Sequence, residues 1–215
     1  MSEPASPDSK STLSSSIGNF TELVAAGTPA PGGGSVSAYC GVLAASLGQM
    51  VCNLTIGKQK YAVVELRVTE IRSELERLSA RLRELIGEDA ESFEAVLQAY
   101  RLPKDSEEQK ADRAAQIQIA LQRAVDVPVE TAQRSFDVLK LLRELADIGN
   151  PNALSDVAVG ARLAQVAIRG ASYNISVNLD SISDRVAADK TREQMKGMIE
   201  QAKTIAEQVE AKLKA

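Results

Sequence analysis

One segment of the chain carries no charge at all. No Asp, Glu, Lys or Arg occurs from Leu23 to Gly57, although these residue types make up 25% of the sequence. Small residues recur here at alternating spacings of four and three, which places them on one helical face: Gly34, Ala38, Gly41, Ala45, Gly48 and Cys52. Larger apolar residues fill the remaining faces. The segment therefore predicts a central, buried helix that another backbone approaches closely.

The same segment is also long enough to cross a bilayer. Gln49, Asn53 and the break T-P-A-P-G-G-G lower its hydrophobicity, however, and favour a buried helix of a soluble protein. We therefore expect no contact with a membrane.

A second buried helix is predicted from Ala153 to about Leu179, with small residues again on one face. Amphipathic helices surround these two, and we expect breaks at Gly87 and before Pro128. A charged outer helix runs from Arg185 to about Leu213. The fold class is thus an all-α, multi-helix bundle with two buried central helices. Residues 1–16 read as a disordered tail, and residues 17–215 form a single helical domain.

Composition excludes several kinds of function. The net charge of −4 and the interspersed basic residues give no basis for binding nucleic acid. The sequence has no His, which excludes His-based triads and His-ligated metals, and we expect no metal site. Cys40 and Cys52 lie in one predicted helix, with Cα atoms about 18 Å apart. They are therefore expected to be reduced, as in a cytoplasmic protein.

Two short segments flank the first buried helix. Pro31 and the glycines Gly32, Gly33 and Gly34 would leave the N–H groups at the helix start uncovered, where an anion or a carbonyl-rich ligand can bind. A tight turn between packed helices is the structural alternative. The helix ends in T-I-G-K-Q-K-Y, which contains Lys58.

Several motifs in one order resemble a known family. They are T-P-A-P-G-G-G-S-V-S-A, M-V-C-N-L-T-I-G-K-Q-K-Y, E-D-A-E-S-F-E-A-V, Y-R-L-P-K and G-N-P-N-A-L-S-D-V. Together they resemble the cyclodeaminase/cyclohydrolase family of folate enzymes, over residues 17–214. The resemblance implies an all-α homodimer that acts on one-carbon derivatives of tetrahydrofolate, with the folate as substrate and no other cofactor.

Within the family, the resemblance is strongest to the methenyltetrahydrofolate cyclohydrolases, which implies hydrolysis of 5,10-methenyltetrahydrofolate to 10-formyltetrahydrofolate. The alternative in the same family is a formiminotetrahydrofolate cyclodeaminase, which releases ammonia. An alternative of a different class is a non-catalytic, folate-binding or scaffold protein that keeps the helical fold.

Hydrolysis of the methenyl bridge needs a base for water, negative charge near the cation and a proton donor. Without His, a buried carboxylate or lysine must serve. The candidate catalytic residues are Asp156, Asp89, which lies in the family-like E-D-A-E-S-F run, and Lys58. Each has a structural alternative: Asp89 could compensate the dipole of a helix that it begins, Asp156 could cap its helix or pair with Arg162, and Lys58 could complement a helix C-terminus.

The candidate substrate-binding residues are Pro31, Gly32, Gly33, Gly34, Ser35, Asn53, Lys60, Tyr61 and Asn152. We expect one cleft between the glycine loop, the G-K-Q-K-Y turn and the start of the Asn152 helix. Asp156 and Asn174 share a helical face but lie roughly 27 Å apart. Asn174 is therefore either structural or part of a partner subunit's site.

Overall fold

The computed structural model describes residues 16–214, which form helices joined by short turns, with no β-strand in this range. The α-helices are α1 (Ile17–Ala25), α2 (Gly33–Thr55), α3 (Glu65–Arg101), α4 (Glu107–Ile148), α5 (Leu154–Leu179) and α6 (Arg185–Ala211). Single 3₁₀ turns follow at Gln59–Tyr61, Pro151–Ala153 and Lys212–Lys214. The predicted all-α class is confirmed. The predicted tail lies outside the described residues except for Ser16, whose hydroxyl caps α1.

Helix α2 lies at the centre of the bundle and packs against α3, α4 and α5. All six small residues of its predicted stripe are buried. A Cβ atom at Gly41 would lie 2.7 Å from Ser135 Oγ, and one at Gly48 would lie 2.7 Å from Leu75 Cδ1. Both distances are shorter than real Cβ contacts, so alanine at either position would have to displace the neighbouring side chain. Cys40 and Cys52 are free thiols, as expected.

The length and hydropathy of α2 would suffice for a membrane span. Of its most apolar stretch, however, 56% is buried against the rest of the protein. Packing among three other helices therefore accounts for the missing charges.

Helix α3 is continuous, so the break expected at Gly87 is wrong. Gly87 is buried within the helix. Glycine inside a helix costs about 1 kcal/mol of stability relative to Ala. This cost is small compared with the free energy gained by burying the apolar stripe on the same helix. That stripe is fully buried and consists of Val68, Ile71, Leu75, Leu78, Leu82 and Leu85.

Helix α4 is also continuous, and the start of a new helix predicted at Pro128 is wrong. Proline has no N–H, so the carbonyl of Ala124 loses its usual helical donor. The side chain of Asn178 on α5 replaces that donor, because its Nδ2 lies 2.9 Å from the Ala124 oxygen. A tertiary contact that the local sequence does not reveal thus keeps α4 intact.

Helix α5 confirms the second buried helix and runs antiparallel to α2. Gly160 lies against the Ala44 carbonyl, and Gly170 lies against Ser37. Helix α6 forms the predicted outer layer. It is attached through the ion pair between Arg162 and Glu210, among other contacts.

One apolar surface stays uncovered in the single chain. Its residues lie on adjacent stripes of α2 and α5, and we call it the α2–α5 face. Its most exposed large side chains are Leu43, Met50, Leu54, Val159, Val166, Tyr173 and Val177. Their exposed fractions range from 36% for Leu43 to 71% for Val177.

Candidate functional site

The N-terminus of α2 has no side-chain cap, because its N-cap residue is Gly32. Gly33 is exposed, whereas Gly34 is buried against the carboxylate of Asp89 on α3. A Cβ atom at Gly34 would overlap that carboxylate, so this close approach requires glycine. The glycine loop and Asp89, two separate candidates from the sequence, therefore form one site.

Ser35 holds the Asp89 carboxylate in place. Its Oγ lies 3.0 Å from Asp89 Oδ2 and 3.0 Å from the Ile86 carbonyl oxygen. Its backbone N–H also donates to the carboxylate. Asp89 thus compensates the N-terminal dipole of α2. The expectation that it begins a helix of its own is wrong, because it lies inside α3.

Burial raises the pKa of the Asp89 carboxyl above its usual range, and the hydrogen bonds from Ser35 offset part of that rise. The net effect is a raised pKa for a carboxyl that lies against a helix N-terminus. A carboxyl with a raised pKa can exchange protons closer to neutral pH than an ordinary aspartate.

Two further predicted residues lie at this end of α2. Pro31 is buried immediately before the glycines. The Nδ2 atom of Asn174 would lie 3.8 Å from a Cβ at Gly33, and it donates a hydrogen bond to the Gly170 carbonyl at 3.1 Å. The side-chain oxygen of Asn174 accepts no hydrogen bond from the described residues. It is therefore available to a ligand donor.

The other end of α2 leads into the G-K-Q-K-Y turn. Gly57 has a φ of 75°, a conformation that favours glycine. Lys58 and Lys60 are exposed, and Lys60 Nζ lies 4.5 Å from the centre of the Tyr61 ring. The Tyr61 hydroxyl donates to Asn150 Oδ1 at 3.0 Å. The turn is thereby joined to the segment that begins α5.

A cavity of about 370 Å³ lies beside this turn. The residues that line it include Lys60, Tyr61, Val64, Leu145, Asn150 and Val157. The candidates Asn53 and Asn152 are exposed and belong to the same region. Asn53 lies two residues before the end of α2, and Asn152 lies two residues after Asn150. Asn53 accepts one long hydrogen bond, from Arg72 at 3.4 Å.

Asp156 lies in the first turn of α5 and is half-buried. Within residues 16–214 it has neither a hydrogen bond nor an ion pair. Arg162, its predicted alternative partner, pairs with Glu210 and Gln165 instead. A half-buried carboxylate without a partner can bind a cationic substrate.

The structure divides the candidate residues into two sets. The glycine loop, Ser35, Asp89 and Asn174 lie at the N-terminal end of α2, and Lys58, Lys60, Tyr61, Asn152 and Asp156 lie beyond its C-terminal end. The 22 steps from Gly33 to Thr55 span about 33 Å. The expected single cleft is therefore wrong for one chain. Sequence reasoning did not select Asn150. Its hydrogen bonds to distant segments carry no local sequence signal.

No group of three or more Cys, Asp or Glu residues in the described range could hold a metal ion.

Comparison with known proteins identifies the family. Residues 16–197 match the formiminotransferase-cyclodeaminase family. The chain is 38% identical over 193 residues to methenyltetrahydrofolate cyclohydrolase of Methylorubrum extorquens, covering 90% of this chain and 93% of that protein. It is 34% identical over 212 residues to formimidoyltransferase-cyclodeaminase of Mus musculus, covering 99% of this chain but only 39% of that protein.

The fold has a solved counterpart. The crystal structure of formiminotetrahydrofolate cyclodeaminase from Thermotoga maritima superposes with a TM-score of 0.81 and 31% sequence identity. The match covers 93% of this chain and 96% of that one. The chain therefore belongs to the formiminotransferase-cyclodeaminase family.

Proposed function

We propose that this chain is a cytoplasmic, homodimeric methenyltetrahydrofolate cyclohydrolase, which converts 5,10-methenyltetrahydrofolate reversibly into 10-formyltetrahydrofolate. The observation that carries the proposal is the buried Asp89 carboxyl, held between Gly34 and Ser35 at the start of α2. Near full-length similarity to a cyclohydrolase supports this activity over others of the family.

The reaction adds water to a cationic carbon bonded to two nitrogens and then breaks one of the two C–N bonds. In the proposed mechanism Asp89 accepts the proton of the attacking water, for which its raised pKa suits it. The departing nitrogen receives a proton, for which Lys58 is the proposed donor. Asp156, which has no partner among the described residues, supplies negative charge beside the cation. The chain's own side chains thus provide each role.

A second copy of the chain is the proposed occupant of the α2–α5 face. The face exposes apolar side chains such as Val159 and Val166, which are 53% and 55% exposed. Helices with open apolar stripes are stabilised when an equivalent surface covers them, and most homodimers use one such surface on both subunits.

The same two-fold arrangement would assemble the divided site. Asn174 and Asp156 lie at opposite ends of α5, and the glycine loop and Lys58 lie at opposite ends of α2. A two-fold axis through the middle of the face superimposes each end on the opposite end of the partner. Asp89 of one subunit and the Asp156 end of the other would then border one cleft, and the dimer would contain two such clefts.

The test is a direct assay. Purified protein is mixed with 5,10-methenyltetrahydrofolate, and loss of the substrate's absorbance is followed. We expect a decay faster than the uncatalysed one, and a decay rate equal to that of buffer would overturn the proposal.

The T. maritima counterpart supports a second candidate, release of ammonia from formiminotetrahydrofolate. The bridged cation, 5,10-methenyltetrahydrofolate, is the substrate of the first reaction and the product of the second. Ammonia measured with formiminotetrahydrofolate distinguishes them, because only a cyclodeaminase produces it.

A further inference from the structure

Asn150 joins its own segment to the end of α2 and to the G-K-Q-K-Y turn, which lie 89 to 96 residues earlier in the sequence. Its backbone N–H donates to Thr55 Oγ1 at 2.9 Å, and its Nδ2 donates to the Leu54 carbonyl at 3.2 Å. Its Oδ1 accepts from the Tyr61 hydroxyl at 3.0 Å and from the Asn152 N–H at 3.1 Å. The residue is only 7% exposed, and every polar group of its side chain is used.

The partners of Asn150 give these bonds a functional meaning. Tyr61 and Asn152 belong to the candidate substrate-binding residues, and Leu54 and Thr55 end the helix after which Lys58 follows. Asp156 lies six residues beyond Asn150, on the helix that this segment begins. A shift at Asn150 would therefore move the G-K-Q-K-Y turn relative to Asp156.

We infer that Asn150 is the positioning residue of this half of the site, setting the G-K-Q-K-Y turn against the start of α5 for the cationic substrate. The inference rests on the proposed function for its substrate. At neutral pH an amide meets this geometry and an aspartate does not, since the side chain must donate to one backbone carbonyl while accepting from a hydroxyl and an N–H. An ionised carboxylate accepts but cannot donate, so it would face the Leu54 carbonyl without a proton between the two oxygens.

The informative substitution is Asn150→Asp, because a protonated Asp keeps the shape, one donor and one acceptor of Asn. At about pH 8 we expect kcat/KM to fall roughly 10- to 100-fold, since small displacements in an active site have effects of this size. At about pH 5, where the new carboxyl is increasingly protonated, the ratio of variant to parent rate should rise towards one.

A matched control is Asn178→Asp. Asn178 also donates through Nδ2 to a backbone carbonyl, that of Ala124, but it lies at the other end of α5. We expect this control to lower the melting temperature as much as Asn150→Asp does, while leaving kcat/KM within about twofold of the parent. Equal effects of both variants on kcat/KM and melting temperature would overturn the inference, because they would give Asn150 a structural role only.

A third readout needs no substrate. Hydrogen exchange should show faster opening of residues 57–62 and 150–153 in Asn150→Asp, confined to these segments and reversed at low pH. Unchanged exchange there overturns the inference. If the parent fails to act on either folate but the exchange change is present, the proposed function is wrong and the positioning role of Asn150 stands.

Discussion

Asp89, the proposed general base, reduces the stability of the protein when it ionises. Because burial raises its pKa, the ionised form is less favourable in the folded than in the unfolded state. Its ionisation therefore lowers the free energy of unfolding as the pH rises above the unfolded value of about 3.9. This penalty is absent at acid pH, where Asp89 is protonated in both states.

We expect Asp89→Asn to lower kcat by about 10²–10⁴-fold, the range for loss of a general base. At neutral pH the variant should melt at or above the temperature of the parent, since Asn carries no charge to bury, and the difference should vanish at acid pH. Initial rates and melting curves at several pH values test both effects.

Asp112→Asn serves as a control, because Asp112 is an exposed carboxylate on α4. It should change neither the rate nor the melting temperature. A strongly destabilised Asp89→Asn at neutral pH would contradict the energetic account, and full activity would contradict the catalytic one.

At the scale of elements, α3 and α4 are held together by a shared arginine. Arg81 on α3 forms a two-bond contact with Glu130 on α4, with Nη2–Oε2 and Nε–Oε1 distances of 2.7 and 3.0 Å. Arg81 also pairs with Glu88 on its own helix. The hydrogen bonds from Arg81 lower the pKa of Glu130 below its usual range.

A lowered pKa contributes stability above the unfolded value, about 4.3 for Glu, and that contribution is lost as the pH falls through the folded value. Glu130→Gln should therefore reduce the free energy of unfolding by roughly 0.5–1 kcal/mol at neutral pH, a figure that allows for partial exposure. The difference should shrink as the pH falls below that unfolded value. Urea unfolding at neutral and at acid pH measures it. Glu107→Gln, which breaks an exposed pair with Lys110, should have no measurable effect at either pH.

The elements also show what the sequence can predict. The lack of charge identified α2, and the spacing of small residues identified both α2 and α5, because helices that pack closely against other helices need small residues on the shared face. Local propensity failed at Gly87 and Pro128. At these two positions, packing against distant residues, and a hydrogen bond from Asn178, outweigh the local preference.

The candidate site was predicted by residue type but not by arrangement. Motif resemblance selected Asp89 and the glycine loop, which the fold brings into contact, and Lys58 and Asp156, which it places elsewhere. A motif gives no distance between its parts when a long helix separates them. Asn150 was missed as a site residue because its role depends on contacts 89 to 96 residues away in sequence.

At the scale of the whole molecule, the divided site makes a prediction about mixed dimers. If each cleft takes Asp89 from one subunit and Asp156 from the other, two inactive variants can repair each other. Asp89→Asn and Asp156→Asn, unfolded and refolded together, should regain about a quarter of the parent rate. Half of the dimers are then mixed, and each mixed dimer holds one unaltered cleft.

Each variant refolded alone is the control and should stay inactive. If the mixture is no more active than the two variants apart, both carboxylates act within one subunit, or only one of them acts. Size-exclusion chromatography with light scattering tests whether the mixture is dimeric, as proposed.

In the proposed dimer, the separation of the two half-sites along α2 also has a genetic consequence. In a cell that expresses the parent together with a copy altered at both Asp89 and Asp156, every mixed dimer would carry damage in both of its clefts. Such an allele would be dominant over the normal one, whereas an allele with either change alone would leave one working cleft in each mixed dimer and behave as partially recessive.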